Sequence, residues 1–347
     1  MQHIAKRLEF HATSLGLAMV DPADFTLERR PHGRGHKVCF ANGDKVTDRR
    51  LKERIRQLVL PPAWKDVRIC VDENGHIQAT GRDEKGRLQY RYHDRWVNVR
   101  NAVKTERLLR FGRVLPRLRR RIDLDMRRSE QDERMTAAAA ARLIDISAMR
   151  PGHEKYAQDG GRGVASLDKG NLRIGRQGAV LSFVGKSRKE HRIEVKDRRL
   201  INSLTRIRKG NGKRLFRFKD KDRTSHILTA NRLNAYLHES GHARISAKDF
   251  RTFRGSAEAL RHLIDVEGPV ADTQAKRRRA VARAMRAVSD VLRNTPAVAR
   301  TSYVHPDIVL AFEEGRLDFD LLKGRSRTGL TREETGLMRF LEETAAR

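Results

Sequence analysis

The sequence predicts an α+β protein in which a small β-rich domain precedes a larger, mostly helical domain with a small antiparallel sheet. Three observations support this class. Short segments of alternating polarity, separated by turn residues, fill most of residues 1–100. Apolar residues recur at helical spacing over most of residues 101–347, and a second pair of short strands interrupts that helical part. We therefore predict two domains, 1–100 and 101–347.

One helix and three strands account for the second half of the small domain. Thr47 or Asp48 can cap a helix that ends before Pro61-Pro62, because proline cannot continue a helix. Turns rich in Asp, Asn, Lys and Gly then separate the strands of a meander. The predicted strands are Val67–Val71, His76–Arg82 and Arg87–Tyr92.

Charge indicates the class of partner. The chain carries 75 Lys and Arg against 44 Asp and Glu, a formal net charge of +31. Such a surplus repels itself unless a polyanion offsets it, so we expect nucleic acid as the partner. A generally basic surface is the alternative.

We see no bilayer-spanning apolar run and no secretory leader, and Cys39 and Cys70 form no metal or disulfide pattern, so we expect a cytoplasmic protein.

The third strand of the meander holds a candidate nucleic-acid surface. Tyr90 and Tyr92 share one face by the two-residue period of a strand, and Gln89 lies on the other face. The tyrosines can rest on bases or sugars, and Gln89 can reach a base edge. The equal alternative is that both tyrosines are core residues.

The helical domain is predicted to contain a helix over Ser129–Arg150. Met135, Leu143 and Ile146 recur there at helical spacing and mark a buried stripe, and the same spacing extends the stripe to Arg150. An arginine on an apolar face needs an anion. That anion is either a ligand or a structural carboxylate.

A hairpin follows in the middle of the helical domain. Its strands are Ala179–Val184 and His191–Val195, and its tip holds Lys186, a flexible cation able to swing onto a ligand. Gly185-Lys186-Ser187 is not a phosphate-binding loop. That motif requires glycine where Val180 stands, and a helix, not a strand, must follow it.

The next helix start is Ser246-Ala-Lys-Asp249, a pattern typical of a capping box. Lys248, Arg251 and Arg254 follow it at steps of three, which we expect to place them along one side of the helix.

A basic helix is predicted over Gln274–Leu292, with Asn294 just beyond its end. Thr295-Pro296 then starts a short helix, with threonine as the cap and proline at the first helical position. That helix carries Tyr303 and ends near His305-Pro306. A tyrosine in this setting is a buried aromatic in most proteins.

These residues form no metal-binding pattern, because the close Asp pairs, Asp123 with Asp125 and Asp318 with Asp320, follow no convincing strand. The remaining candidate residues are cations and a tyrosine, and together these can cleave a phosphodiester. Two arginines can neutralise the charge that develops on a phosphodiester. A tyrosine can attack as a covalent nucleophile, and a lysine can protonate the leaving oxygen.

Several motifs in fixed order carry a family resemblance. The chain resembles the bacterial, poxvirus-like type IB DNA topoisomerases, which share a catalytic fold with the tyrosine recombinases. The resemblance covers roughly residues 46–306. The matching segments are Leu60-Pro-Pro-Ala-Trp64, Asn74 to Arg82, Gly86 to His93, Phe183-Val-Gly-Lys-Ser187, Lys248-Asp-Phe-Arg-Thr252 and Asn294-Thr-Pro296 leading to Ser302-Tyr303.

The resemblance implies a role for five residues. Tyr303 attacks the scissile phosphate and becomes joined to the 3′ end of the nicked strand. Arg150 and Arg251 hold the phosphoryl oxygens, and Lys186 protonates the departing 5′ oxygen. Asn294 takes a position often held by histidine and hydrogen-bonds a non-bridging oxygen. The cut strand then swivels and is resealed, without ATP, metal or other cofactor.

The resemblance also implies the DNA contacts and the setting of the reaction. Contacts to duplex DNA map onto Gln89, Tyr90, Tyr92, Tyr156 and Lys248. The two domains are expected to form a clamp around the duplex, in a monomer that works at the nucleoid.

One departure concerns Arg150-Pro-Gly-His153, because Pro151 disfavours helical geometry at Arg150. Two other classes remain open to test. A tyrosine recombinase usually carries histidine where Lys248 stands and lacks the Pro-Pro-Ala-Trp segment, and a nucleoid-type binder needs no such constellation. The segments before Val46 and after about Leu330 receive no assignment.

Overall fold

A computed structural model describes residues 2–33, 35–153, 161–185, 190–270 and 273–346. The chain divides into two compact units, Met1–Lys104 and Thr105–Arg347. The first unit is β-rich, and the second is mostly helical with small antiparallel sheets, which confirms the predicted α+β class.

The helices begin and end as follows: α1 Gln2–Ser14, α2 Arg49–Gln57, α3 Trp96–Met126, α4 Glu133–Ser147, α5 Arg198–Lys209, α6 Ala230–Gly241, α7 Ala247–His262, α8 Gln274–Leu292, α9 Pro306–Glu313 and α10 Arg332–Ala346. The strands are β1 Leu27–His32, β2 Gly35–Phe40, β3 Lys65–Ile69, β4 Ile77–Arg82, β5 Leu88–Tyr92, β6 Leu172–Gly175, β7 Gly178–Val184, β8 Glu190–Val195, β9 Arg217–Lys219 and β10 Ser225–Ile227.

The first unit is built on a five-stranded antiparallel sheet with the order β2-β1-β3-β4-β5. The predicted meander is its β3-β4-β5 part, and α2 begins at the predicted cap, where Asp48 accepts hydrogen bonds from the backbone of Arg50 and Leu51. The first two strands, β1 and β2, are not predicted from the sequence. They extend the sheet and contribute Leu27 to its core.

A single arginine organises the Leu60-Pro-Pro-Ala-Trp64 segment. Arg29 on β1 donates to the backbone oxygens of Leu60, Pro61 and Trp64 at 3.3, 3.0 and 2.6 Å. This segment has few donors of its own because two of its residues are prolines, so its carbonyls take an arginine as partner. The Trp64 ring lies against Gly81 of β4, where a Cβ would approach it to 2.7 Å.

The second unit has a continuous apolar core around α4. All five alanines of 137–141 are fully buried, so neighbouring elements approach this helix closely from every side. At another crossing, a Cβ on Gly112 of α3 would lie 2.2 Å from the Met338 sulfur of α10. Helix α10, for which the sequence gives no prediction, is therefore part of the core.

Helix α4 is shorter than predicted. It begins after Asp132, whose side chain accepts from the Met135 backbone N–H at 2.8 Å, and it ends at Ser147. Ala148 has φ of 52° and is left-handed, which stops the helix three residues before Pro151. The prediction that Arg150 lies on the apolar stripe of this helix is wrong.

Candidate active site

Arg150 lies in the extended connection after α4, half-buried. Its position is set by its backbone, because the Val164 N–H donates to the Arg150 carbonyl oxygen at 2.9 Å and the Ala165 N–H donates to that of Pro151 at 2.8 Å. Among the described residues, no hydrogen bond or ion pair engages the Arg150 side chain. The Arg150 guanidinium lines a narrow cavity in the second unit.

Two glycines allow this backbone pairing. Gly152 has φ of +84°, in the region that favours glycine, and a Cβ on it would lie 2.7 Å from the carbonyl carbon of Gly163. A Cβ on Gly163 would lie 2.5 Å from the Cα of Gly152 and 2.7 Å from the Arg150 carbonyl oxygen. The chain segments therefore cross in direct backbone contact, and this crossing positions Arg150.

Arg251 lies in the first turns of α7 and is 3% exposed. Its Nη1 donates to the carbonyl oxygen of Ala148, and its Nη2 donates to that of Leu292 at 3.0 Å. The Nε of Arg251 is buried and has no hydrogen-bond partner among the described residues. Burial lowers the pKa of Arg251, since among the described residues no carboxylate compensates the guanidinium for lost hydration.

The start of α7 is fixed as the sequence predicts. Asp249 caps Ser246 by accepting from its backbone N–H at 2.7 Å, which completes the capping box. Arg107 of α3 holds the same carboxylate through two hydrogen bonds. This ion pair anchors the helical turn that carries Lys248 and Arg251.

The three basic residues of α7 do not all face the same way. Lys248 and Arg254 are exposed, whereas Arg251 points into the core. Steps of three residues rotate by about 60° each around a helix of 3.6 residues per turn, which places Arg251 between the other two. The expectation of one common side is nevertheless wrong for Arg251, because its guanidinium turns inward to the carbonyl oxygens of Ala148 and Leu292.

Tyr303 lies at the end of a helical turn that begins with the predicted cap. The Thr295 side chain accepts from the Val298 N–H at 3.3 Å, and the turn over Ala299–Tyr303 closes with a wide bond from the Val304 N–H to the Ala299 oxygen. The Arg251 guanidinium carbon lies 4.7 Å from the centre of the Tyr303 ring. The ring is half-buried, with one of the two candidate arginines directly over it.

Nearby positive charges act on the phenol of Tyr303. Burial acts to raise its pKa, but the positive charge and hydrogen bonding of Arg251, with further charge from Arg150 and Lys248, outweigh burial and leave the pKa below its ordinary value. A lowered pKa favours the phenolate, which is the form that attacks phosphorus. The positive charges of three predicted residues, Arg150, Lys248 and Arg251, thus all act on the phenolic oxygen of Tyr303.

One hydroxyl holds the backbone on both sides of Val304. Ser256 Oγ of α7 donates to the Tyr303 carbonyl oxygen at 3.1 Å and accepts from the His305 N–H at 3.0 Å. Gly255 makes room for this contact, since a Cβ there would lie 3.2 Å from the Tyr303 Cβ. His305 is fully buried, and its Nε2 pairs with the Thr105 hydroxyl at 2.9 Å.

Asn294 follows α8 and is buried, and its backbone N–H donates to the Ser289 oxygen at 3.0 Å. Its neighbour Arg293 was not predicted as a site residue. Arg293 lines the same cavity as Arg150 and Arg251, together with Arg162 and His191. No local pattern singles out Arg293, because it is one basic residue among many.

Two of the predicted residues, Lys186 and Tyr156, lie outside the described residues. The strand before Lys186 is in place, and its last residues pack on a histidine of the next strand. A Cβ on Gly185 would lie 2.3 Å from the His191 ring, which stacks on Phe183 with centroids 4.9 Å apart.

In the first unit, the predicted aromatic face of β5 is formed. Tyr90 and Tyr92 stack with ring centroids 5.8 Å apart, and Tyr92 stacks in turn on Trp96 at 5.9 Å. Tyr90 is 42% exposed and Tyr92 is half-buried, so the face is neither all core nor all surface. Gln89 donates to Asp83 Oδ2 at 2.9 Å.

The close Asp pairs are engaged by other side chains. Asp125 is buried and accepts from the Tyr236 hydroxyl at 2.9 Å, and Asp123 pairs with Arg127 and Arg199. Among the residues that the structure describes, no three His, Cys, Asp or Glu side chains gather into a group suited to a metal ion. In the same described ranges, no helix has the length and apolar character needed to cross a membrane.

Comparison with known proteins assigns the family. The profile of the eukaryotic DNA topoisomerase I catalytic core matches residues 94–314, and that of the bacterial DNA topoisomerase IB N-terminal domain matches residues 38–83. The chain is 30% identical over 271 residues to DNA topoisomerase 1B of Acanthamoeba polyphaga mimivirus, which covers 76% of this chain and 80% of that protein. This chain belongs to the type IB DNA topoisomerases.

Two poxvirus proteins show the same relationship at lower identity. DNA topoisomerase I of monkeypox virus and DNA topoisomerase 1B of vaccinia virus are each 23% identical over 231 residues, which cover 66% of this chain and 70% of theirs. The chain is thus a DNA topoisomerase enzyme with DNA as its substrate. The catalytic-core match of this topoisomerase includes Arg150, Arg251, Asn294 and Tyr303, and it ends before α10.

Proposed function

We propose that this topoisomerase relaxes supercoiled DNA by cutting one strand through a 3′-phosphotyrosyl intermediate at Tyr303, letting the strand swivel and then resealing it. The observation that carries the proposal is the Arg251 guanidinium 4.7 Å from the Tyr303 ring centre, in a setting that lowers the tyrosine pKa. The cation over the ring favours the phenolate, which is the better nucleophile. The same cation lies close to the phosphoryl oxygens, where negative charge develops during attack.

The proposed cleavage step makes one bond and breaks one. The Tyr303 oxygen bonds to phosphorus as its proton leaves to solvent, and the bond from phosphorus to the 5′ oxygen breaks. Arg150 and Arg251 neutralise the non-bridging oxygens, and Asn294 donates a hydrogen bond to one of them. Lys186 gives its proton to the 5′ oxygen. Resealing is the same step in reverse, with Lys186 accepting the proton.

Energy for resealing is stored in the phosphotyrosine bond, so the proposed cycle needs neither ATP nor a metal ion. The charges that stabilise the transition state are fixed guanidinium groups. We propose that one chain suffices, since a single copy of the sequence supplies every group named.

Recognition of duplex DNA is assigned to both units. In the first unit, Tyr90 presents an exposed ring at the end of a stack of three aromatic rings, and Gln89 lies beside it on β5. In the second, Lys248 is exposed one turn before Arg251 and its charge reaches Tyr303. With Tyr92 and Tyr156, these residues are the proposed DNA contacts of a clamp formed by the two domains.

The test uses supercoiled plasmid in chelator without nucleotide. Wild-type protein is expected to yield relaxed topoisomers from supercoils of both signs, and Tyr303→Phe, which removes only the phenolic oxygen, is expected to bind DNA but form no SDS-stable adduct. A requirement for ATP or Mg²⁺, or an adduct in the Phe variant, contradicts the proposal. Strand exchange at specific sites indicates a recombinase, and a gel shift alone indicates a binder.

The role of Lys186 has its own test. As a general acid it is expected to contribute about 10²–10⁴-fold to cleavage, so Lys186→Ala slows cleavage by that factor on ordinary DNA. A substrate with sulfur in place of the 5′ leaving oxygen needs no proton and restores most of the rate. If sulfur rescues nothing and the defect is weaker binding that worsens with salt, Lys186 only holds a phosphate.

A further inference from the structure

We propose that Arg293 is a third guanidinium of the phosphate site and contacts a non-bridging oxygen of the scissile phosphate through its Nη1. The proposal rests on the function proposed above, in which Arg150 and Arg251 hold that phosphate. It adds a binding residue that neither the family match nor the sequence motifs assign.

The first support is the place of Arg293 in the fold. It is the residue that ends α8, and it lines the same narrow cavity as Arg150 and Arg251. Its Nη2 donates to the carbonyl oxygen of Arg192 on β8 at 2.8 Å, which fixes the guanidinium plane between the helix end and the hairpin sheet. The other terminal nitrogen, Nη1, is left for a different partner.

The second support is that charged donors at this cavity lack acceptors. Arg293 Nη1 and Arg251 Nε are both buried without a hydrogen-bond partner among the described residues. A buried charged donor that makes no hydrogen bond is costly, and two of them around one cavity suit the binding of an anion. Burial also lowers the pKa of Arg293, consistent with a guanidinium that has lost water and gained no carboxylate.

Arg162 provides the internal comparison, because it lines the same cavity and both of its terminal nitrogens have partners. Its Nη2 pairs with Asp168 at 2.8 Å, and its Nη1 donates to the Ser166 oxygen at 2.7 Å. A structural arginine at this cavity therefore has a carboxylate. Arg293 has none among the described residues.

The size of the cavity suits one oxygen atom. Its volume is about 10 Å³, close to the smallest space that holds a water molecule. A whole phosphate does not fit, but a single non-bridging oxygen that projects from a phosphate at the surface does. Such an oxygen accepts from several guanidinium donors at once.

The backbone at Arg293 also favours a functional role for its side chain. Its φ of 52° is left-handed, and glycine is the residue that adopts this conformation without strain at the end of a helix. An arginine at a position where glycine is the relaxed choice is strained locally. The strain makes a clean experiment possible, since glycine removes the guanidinium while relieving the backbone.

The experiment compares Arg293→Gly with wild type in single-turnover cleavage of a defined duplex. We expect Arg293→Gly to melt at or above the wild-type temperature and to form the covalent adduct about 10²-fold more slowly. Arg286→Ala is the matched control, because Arg286 is exposed on the same helix and its loss changes the net charge equally. We expect Arg286→Ala to cleave at the wild-type rate.

A second substrate separates phosphate contact from a structural effect. In a methylphosphonate, a methyl group replaces one non-bridging oxygen and removes the negative charge that Arg293 is proposed to neutralise. On one of the two stereoisomers, Arg293→Gly is then expected to cleave within a fewfold of wild type. A defect of equal size on ordinary DNA and on both stereoisomers, or no defect on ordinary DNA, overturns the proposal.

Failure of this inference differs from failure of the proposed function. Suppose that wild type forms the adduct, that Tyr303→Phe does not, and that a methylphosphonate rescues Arg251→Met but not Arg293→Gly. In that case only the proposed phosphate contact of Arg293 is wrong. If wild type itself forms no adduct, the proposed function is wrong.

Discussion

Two regions of the second unit bury arginine side chains, and they do so in opposite ways. In the first, Arg119 of α3 donates to Asp145 of α4 at 2.9 Å and to Glu334 of α10 at 2.8 Å, and both carboxylates are nearly buried. In the second, Arg251 is more deeply buried, and its partners among the described residues are backbone carbonyls and Tyr303. The first region is a closed ion network, and the second is open to an anion.

The pKa directions record this difference. Burial acts to lower the pKa of both arginines, but hydrogen bonds to Glu334 and Asp145 outweigh it and raise the pKa of Arg119, whereas the pKa of Arg251 stays lowered. In a chain with 75 basic residues, burial of an arginine therefore does not identify a site. An arginine that is buried without a carboxylate and also keeps a donor without a partner among the described residues, as Arg251 does, marks one, and the predictions below test that distinction.

The largest expected effect is the loss of stability when the closed network is broken. Arg119→Met keeps the alkyl volume but leaves the buried Glu334 carboxylate without its arginine and Asp145 with Arg142, which costs about 3–5 kcal/mol in the free energy of unfolding. Chemical denaturation measures this loss. Adduct formation per folded molecule is expected to stay at the wild-type rate, and a large catalytic defect in the folded fraction contradicts the division into two regions.

The next effect is the loss of rate when the open region is changed. Arg251→Met is expected to slow single-turnover cleavage by about 10²–10³-fold, as loss of one transition-state donor does. The free energy of unfolding changes less than in Arg119→Met, because no buried carboxylate loses its partner. Arg254→Met, exposed on the same helix, is the control and is expected to retain both rate and stability.

A smaller effect is expected from the glycine crossing that positions Arg150. In Gly163→Ala the new methyl group lies within 2.5 Å of the Gly152 backbone, so the two segments must separate, at a cost of about 1–3 kcal/mol for overpacking. Cleavage slows because Arg150 moves with its carbonyl. In the control Gly170→Ala, a Cβ meets nothing within 4 Å, and a rate equal to that of Gly163→Ala contradicts the positioning role.

The smallest expected effect is the titration of one tyrosine. An ultraviolet difference titration of wild type against Tyr303→Phe isolates Tyr303, whose pKa is expected below the ordinary value of about 10. Because the Arg251 cation stabilises the phenolate, Arg251→Met raises this pKa, and the phenolate forms only at higher pH. If Tyr303 titrates at the same pH with and without Arg251, the cation does not act on the phenol.

Local chemistry in the sequence determined much of the fold and of the site. The caps at Asp48, Ser246 with Asp249, and Thr295 with Pro296 all form as predicted, because a cap joins residues only two or three positions apart. The predicted alternation in β5 likewise places Tyr90 and Tyr92 on one face. Motifs in order also sufficed to predict the family, which the comparison with known proteins shows.

Only the tertiary structure decided which of the basic residues are paired. The partner of Arg119, Glu334, lies 215 residues away, and the helix that carries it shows no sequence signal for that contact. Strand β1 is likewise placed by a distant segment, since its Leu27 pairs with Ile69 of β3. Periodicity and capping act over a few residues, whereas burial and charge pairing depend on which distant segments meet. A local pattern therefore predicts helices and caps. It cannot distinguish an arginine that pairs with a structural carboxylate from one that is available to bind a phosphate.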